Sequence, residues 1–281
     1  MSSVAVVTDS TAYLPDGMAA SHAVGVVPLH VVLGTHSGKE GQEVSPGDVA
    51  AALTERRVQV STSRPTPGEL AAAYRGSGST CLVSVHLSAE LSGTYEAAVL
   101  AAADVARDGI EVRVVNSETI AMGLGFAVLA AARAARRGAD IEAVVAAATS
   151  AAADTDTLFY VDTLEHLRRG GRVGAAAALF GAALAVKPLL HVTGGHIEPL
   201  EKVRTASKAL ARLEDLAVQR AGAGEVDLAV HHLAAADKAE RLAERLRARL
   251  PELGALHVSE VGAVVGAHVG PGLLGVVISR R

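Results

Sequence analysis

The first half of the chain alternates apolar, β-branched runs with short polar turns. Residues 4–7, Val-Ala-Val-Val, read as a buried strand that ends in the turn Thr8-Asp9-Ser10-Thr11. Residues 25–33 form a second apolar run. A helix is predicted from Ser45-Pro46, with serine as N-cap and proline at the first helical position. Ser61 to Pro67 reads as a polar loop, and Pro67-Gly68-Glu69 opens the next helix. Cys81 to Val85 is a further buried strand, followed by a helix starting near Leu91-Ser92. Another strand covers 111–115, and helices cover 120–136 and 140–153. This rhythm predicts an α/β protein with a mainly parallel, layered sheet, whose ligands bind where strand ends meet helix starts.

The second half has a different pattern. Leu158 to Tyr160 reads as a strand, followed by a short helix at 163–169 and the turn Gly170-Gly171. Pro188 to Thr193 and His196 to Leu200, joined by Gly194-Gly195, read as a hairpin. Helices are predicted at 206–220 and 235–249, and strands at 226–230, 255–259 and 273–278. A domain boundary is placed near 155, giving an N-terminal α/β domain, 1–155, and a C-terminal α/β domain, 156–281.

Composition narrows the function classes. Half of the 281 residues are hydrophobic and 20% are charged, with 26 basic against 30 acidic side chains and a net charge of −4. That balance offers no basic face for nucleic acid. The one cysteine, Cys81, excludes a disulfide framework and a multi-cysteine zinc site, and reads as a buried thiol. The apolar stretches 120–135 and 175–186 are mostly alanine and glycine, and both are shorter than the ~20 residues of a membrane span. They read as tightly packed helices of a soluble core, with no integral membrane segment. No leader is visible before Val4, so the cytoplasm is the expected location. Aromatic residues are only 2%, so apolar surfaces must be aliphatic.

Three hydroxyl-rich clusters fall next to predicted strand ends: Thr8 to Thr11, Ser61 to Thr66, and Leu91-Ser92-Gly93-Thr94-Tyr95. Each alone is ordinary capping and turn chemistry. Together they supply neutral donors and helix N-termini suited to a carboxylate. Arg168-Arg169-Gly170-Gly171-Arg172 reads as a helix C-terminus closed by glycine. Lys202-Val203-Arg204 precedes a helix starting at Thr205, where cations oppose the helix dipole, so an anionic partner is the more attractive explanation. His268 is placed in a glycine loop, Gly266 to Gly272, with an accessible ring. The chain has no G-x-S-x-G, no phosphate loop of the G-x-x-x-x-G-K-[ST] kind, no H-E-x-x-H and no G-x-G-x-x-G. Gly123-Leu124-Gly125 lacks the third glycine. His231-His232 would point to opposite sides of a strand, a poor metal pair.

Taken in order, these phrases resemble the DegV family. They include Val7-Thr8-Asp9-Ser10-Thr11 with Leu14-Pro15, Thr62-Ser63-Arg64-Pro65-Thr66-Pro67, Leu91 to Tyr95, Asn116-Ser117 and Met122 to Gly125. Leu164 to Arg172, Lys187-Pro188, Glu201 to Thr205 and the His268 segment follow. The resemblance covers nearly the whole chain. It implies a two-domain DegV-like fold, with a mainly parallel sheet in the N-terminal domain and a smaller mixed α/β C-terminal domain, and one long-chain fatty acid bound between them. It implies no catalysis by the chain alone and no cofactor. The chain would be an acyl carrier, the lipid-binding subunit of a bacterial fatty acid kinase, and a separate ATP-binding catalytic subunit would form the acyl phosphate. The carboxylate would fall on Thr62 and Ser92, with Ser63, Gly93 and Ser10 beside them. Arg172 and His268 would handle the head group or phosphate, and Arg204 with Lys202 would face the kinase. The chain departs from the family at Arg64, where glutamine is usual, at His86, where serine is expected, and in the loosely matching loop Glu40-Gly41-Gln42-Glu43. Two other readings stay open: a stand-alone serine hydrolase or esterase using Ser92 or Ser10 with His268, and an interaction protein whose Arg172 and Arg204 mark a partner surface.

Overall fold

The computed structural model describes residues 4–55, 58–179 and 187–281. Its strands are β1 (Ala5–Asp9), β2 (Val24–Val27), β3 (His30–Leu33), β4 (His36–Lys39), β5 (Val60–Ser63), β6 (Cys81–His86), β7 (Glu111–Asn116), β8 (Thr155–Tyr160), β9 (Lys187–Thr193), β10 (His196–Val203), β11 (Val226–His232), β12 (Leu253–Glu260) and β13 (Leu274–Arg280). Its α-helices are α1 (Met18–Ser21), α2 (Pro46–Glu55), α3 (Pro67–Gly76), α4 (Thr94–Val105), α5 (Met122–Arg136), α6 (Ile141–Ala153), α7 (Glu165–Arg169), α8 (Ala206–Ala221), α9 (Ala236–Arg249) and α10 (Ala263–Val269). The part of the apolar stretch 175–186 beyond Leu179 lies outside the described residues; Gly174–Leu179 is a 3₁₀ helix rather than an α-helix.

The chain divides into two compact units. One joins 1–30 with 63–154, and the other joins 31–62 with 155–281. The single boundary expected near 155 put 31–62 in the N-terminal half. Those residues instead pack with the second unit. β4, β3 and β5 form a three-stranded sheet there, and Val49 of α2 packs beside Gly266 of α10.

The first unit is built on a four-stranded parallel sheet in the order β2-β1-β6-β7. Strand alternation assigns its apolar residues to two faces. Val6, Val83, Val85 and Val115 pack with Leu124, Val128 and Val144 of α5 and α6. Val7 and Leu82 pack with Leu70, Tyr74, Ala98 and Ala101 of α3 and α4. A parallel sheet covered on both faces explains why these strands read as continuous apolar runs. The alanine of α5 lets that helix lie close to the sheet. Gly125 is needed for the same reason, since a Cβ there would stand 2.7 Å from Ala12 O. The Gly123-Leu124-Gly125 phrase is therefore a packing feature. The apolar run 25–33 is not one strand: Pro28, which has no N–H for the ladder, separates β2 from β3. Cys81 is half-buried rather than buried.

The second unit holds a six-stranded mixed sheet, β10-β9-β8-β13-β11-β12, antiparallel except for the β11–β12 pair. Its core joins Leu158, Leu189, Leu228, Val230, Val276 and Ile278 to Leu213 and Leu216 of α8 and Leu242 and Leu246 of α9. Glu214, on the buried side of α8, is held by Arg245 at 2.6 Å and Arg249 at 2.9 Å from α9. No helix among the described residues is long and apolar enough to cross a membrane.

Candidate functional site

In the first unit, the order β2-β1-β6 makes the chain leave β1 toward opposite sides, so the carboxyl ends of β1 and β6 form a topological switch point. Two of the three hydroxyl clusters, 8–11 and 91–95, lie in this unit, together with 63–66 of the third. Asp9, at the end of β1, is fully buried and accepts four hydrogen bonds. Oδ1 takes Thr11 N at 3.0 Å and Thr11 Oγ1 at 2.5 Å; Oδ2 takes His86 Nδ1 at 2.9 Å and Leu87 N at 3.1 Å. Behind His86 the chain continues inward, since Ser84 Oγ is 2.7 Å from His86 Nε2 and Tyr74 Oη donates to Ser84 Oγ at 2.9 Å. With Nδ1–H given to Asp9, Nε2 is left to accept the Ser84 proton, and every group in the chain is satisfied. Burial raises the Tyr74 phenol to about 12, so it stays a donor.

The Ser84–His86–Asp9 geometry is that of a nucleophile, base and orienter. All three side chains are fully buried, so no substrate can reach Ser84. Its role is structural, and it explains why a histidine stands where the family resemblance predicts serine. The signal was visible in sequence as His86 in an apolar strand, but its partners come from residues far apart in the chain.

Ser10 is half-buried in a 3₁₀ turn, and its Oγ accepts Leu29 N at 3.0 Å. Ser92 lies one step before the N-cap of α4, which starts at Thr94 rather than at Leu91-Ser92. Its Oγ is 2.9 Å from Thr94 Oγ1 and accepts Thr94 N at 3.3 Å. Ser92 therefore pairs with a threonine and not with a basic ring. Ser63 is exposed at the end of β5, and Arg64 reaches Gly93 O at 3.3 Å.

In the second unit, Thr62 is not in a loop. The segment 61–63 belongs to β5, where Thr62 faces the same side as Val60 while Ser61 and Ser63 face out. Thr62 Oγ1 lies 2.9 Å from His268 Nε2. His268 is not in a glycine loop either: it occupies the last turn of α10 and its ring is largely enclosed. The small residues between Gly262 and Gly272 allow tight helix packing there, with Gly266 3.2 Å from Leu233 through a built Cβ. Burial, and secondarily the nearby Arg172, lowers the His268 pKa to about 4, so the ring is neutral. Its Nδ1 is buried with no hydrogen-bond partner among the described residues. The neutral ring carries one proton: on Nε2 it donates to Thr62 Oγ1 and leaves the threonine hydroxyl proton to donate elsewhere, and on Nδ1 it leaves Nε2 to accept that hydroxyl proton.

In the sequence, Gly170 and Glu40 read only as parts of loops and not as site residues. A Cβ on Gly170 would stand 2.0 Å from His268 Nδ1, so Gly170, at φ −75, is required for space, whereas Gly171, at φ 70, makes the turn. Glu40 is buried, and its Oε1 accepts Val264 N at 2.7 Å, capping the start of α10. Arg172 donates from Nη1 to Gly170 O at 2.6 Å. Lys202 and Arg204 are exposed at the end of β10, before the Thr205 cap of α8. Neither makes an ion pair among the described residues. No group of three or more potential metal ligands occurs among the described residues.

A parallel sheet with hydroxyl-bearing turns at its switch point in one unit, and a mixed sheet with a neutral histidine beside a threonine in the other, define an α/β protein of two compact units. The sequence model of the family described as "Uncharacterised protein, DegV family" matches residues 3–281, and the chain belongs to that family. It is 60% identical to a DegV domain-containing protein of Streptomyces coelicolor over 281 residues, 99% of each chain. Among solved structures, a fatty-acid-binding DegV family protein from Thermus thermophilus matches with TM-score 0.91 and 31% identity, over 99% of both chains. DegV of Bacillus subtilis, described as a fatty acid binding protein, matches with TM-score 0.91 and 34% identity over 100% of both chains.

Proposed function

We propose that this protein binds one long-chain fatty acid and presents its carboxylate to a separate ATP-dependent kinase subunit, without performing chemistry of its own. The observation that carries the reading is the Thr62–His268 pair, a threonine hydroxyl 2.9 Å from a neutral ring that, with its proton on Nε2, leaves the hydroxyl to donate to a carboxylate. Fatty acid binding by the two neighbours named above supports the same ligand class. In this reading Thr62 and Ser92 donate to the carboxylate, with Ser63, Gly93 and Ser10 beside them. A buried carboxylate is costly unless its oxygens receive such bonds. Burial of the aliphatic tail contributes about 0.8 kcal/mol per CH₂, so chain length dominates affinity. The kinase subunit would transfer the γ-phosphoryl group of ATP to a carboxylate oxygen, giving acyl phosphate and ADP. Arg172 and His268 would stand by the head group, and Arg204 and Lys202 would offer an exposed basic face to the kinase.

Mass spectrometry of the denatured, purified protein should release a fatty acid, and delipidated protein should rebind it stoichiometrically. Absence of lipid together with no binding of added long-chain acids would overturn the reading. Thr62→Ala and Ser92→Ala should each weaken binding about tenfold, the value of a charge-assisted hydrogen bond. Arg204→Ala should leave binding unchanged and abolish phosphoryl transfer in the presence of the kinase subunit.

A further inference from the structure

The guanidinium of Arg64 lies across the backbone of Gly93. Its Nη1 donates to Gly93 O at 3.3 Å, and a Cβ built on Gly93 would stand 2.0 Å from Nη1 and 3.1 Å from Cδ and Cζ. Gly93 has φ −72 and ψ 17, a conformation open to any residue. A side chain at 93 is thus not barred by the turn, but would displace the guanidinium that lies over it. The Gly93 carbonyl already accepts Ala97 N at 3.1 Å, so the bond from Arg64 is a second, longer one. A guanidinium carries five donors, and this contact uses one. No carboxylate pairs with Arg64 among the described residues. Arg75 and Arg113 of the same unit are matched, with Asp104 and Asp108 and with Glu111 and Glu142, whereas Arg107, Arg133, Arg136 and Arg137 have no ion pair among the described residues. What sets Arg64 apart from those is its place: its guanidinium is seated on the Gly93 carbonyl, one residue from Ser92.

We propose that Arg64 is the charge-selecting residue of the head-group site, making the protein prefer an ionised head group over a neutral one on the same aliphatic chain. The proposal rests on the fatty-acid reading above. Hydroxyls such as those of Thr62 and Ser92 donate to a carboxylate, an alcohol or an ester alike, so neutral donors discriminate weakly among them. A cation distinguishes them by charge. Because Arg64 is exposed, water and salt screen the attraction, and the selectivity it confers is modest.

The test compares tetradecanoate with tetradecan-1-ol binding to delipidated protein at about pH 8, where the acid is ionised. Arg64→Gln should weaken tetradecanoate about three- to tenfold and leave the alcohol within about twofold. Arg64→Lys should retain part of the preference. Gly93→Ala, which displaces the guanidinium without removing it, should lower the acid-to-alcohol ratio. The preference of the unsubstituted protein should shrink between about 0.05 and about 0.5 M salt, and that of Arg64→Gln should not. Equal losses for acid and alcohol, or no change in either, would overturn the charge-selecting role while leaving the fatty-acid reading standing. Failure of the unsubstituted protein to bind either chain would remove that reading and this proposal with it.

Discussion

Asp9 in the first unit and His268 in the second are both enclosed polar groups beside hydroxyl-bearing segments, yet they are held in opposite ways. Asp9 receives four hydrogen bonds and belongs to a chain that runs through His86 and Ser84 to Tyr74 with no group left over. His268 has one partner, Thr62, and a buried nitrogen with none. A saturated network rigidifies a fold and cannot engage a ligand without losing bonds. An unsaturated one costs stability and persists where function needs it. The residues that most resemble a catalytic triad are therefore structural, and the less conspicuous pair is the candidate site.

The sharpest way to break this contrast is to remove His86. His86→Ala strands a buried carboxylate and a buried hydroxyl, and should cost about 3 kcal/mol or more in urea unfolding. His268→Asn should cost far less, while weakening fatty acid binding about tenfold or more. If the two variants lost equal stability, the distinction between a saturated and an open network would be wrong.

Acid should strike the second unit harder. Burial holds His268 and His231 each near 4, and the unfolded chain binds protons on these rings near 6.5. The unfolded state therefore binds more protons between those values. Stability is full above about pH 6.5 and falls as pH drops toward about 4, by up to roughly 3 kcal/mol for each ring. The pH slope of the urea midpoint should flatten in His268→Asn.

Gly170→Ala tests the space beside the ring. Its Cβ would press on His268 Nδ1, so binding should fall about tenfold with a loss of roughly 1–2 kcal/mol. The smallest effect belongs to the cap of α10. Glu40→Gln keeps an acceptor for Val264 N but removes the charge, and should lower stability by about 0.5–1 kcal/mol and affinity about twofold.

Much of the architecture was legible along the chain. The buried strands of the first unit read as apolar runs because both faces of a parallel sheet are covered. Pro67-Gly68-Glu69 announced α3, and the structure adds a capping box between Thr66 and Glu69. The errors share a cause. Ser61-Thr62-Ser63 looked like a loop because β5 is polar, yet it lies at the edge of a small sheet where polar residues are tolerated. The His268 segment looked like a loop because glycine disfavours helices, yet close packing around Gly266 outweighs that preference.

The sequence by itself determined the alternation of strands and helices, the hydroxyl-rich phrases and the family, because these depend on local periodicity and on short ordered motifs. Only the tertiary structure decided that 31–62 joins the C-terminal half, that Asp9, His86, Ser84 and Tyr74 satisfy one another, and that Thr62 meets His268 across 206 positions of the chain. Hydrogen bonds between residues so far apart carry no periodic signature. Whether a buried polar group is satisfied depends on partners that only folding brings within 3 Å.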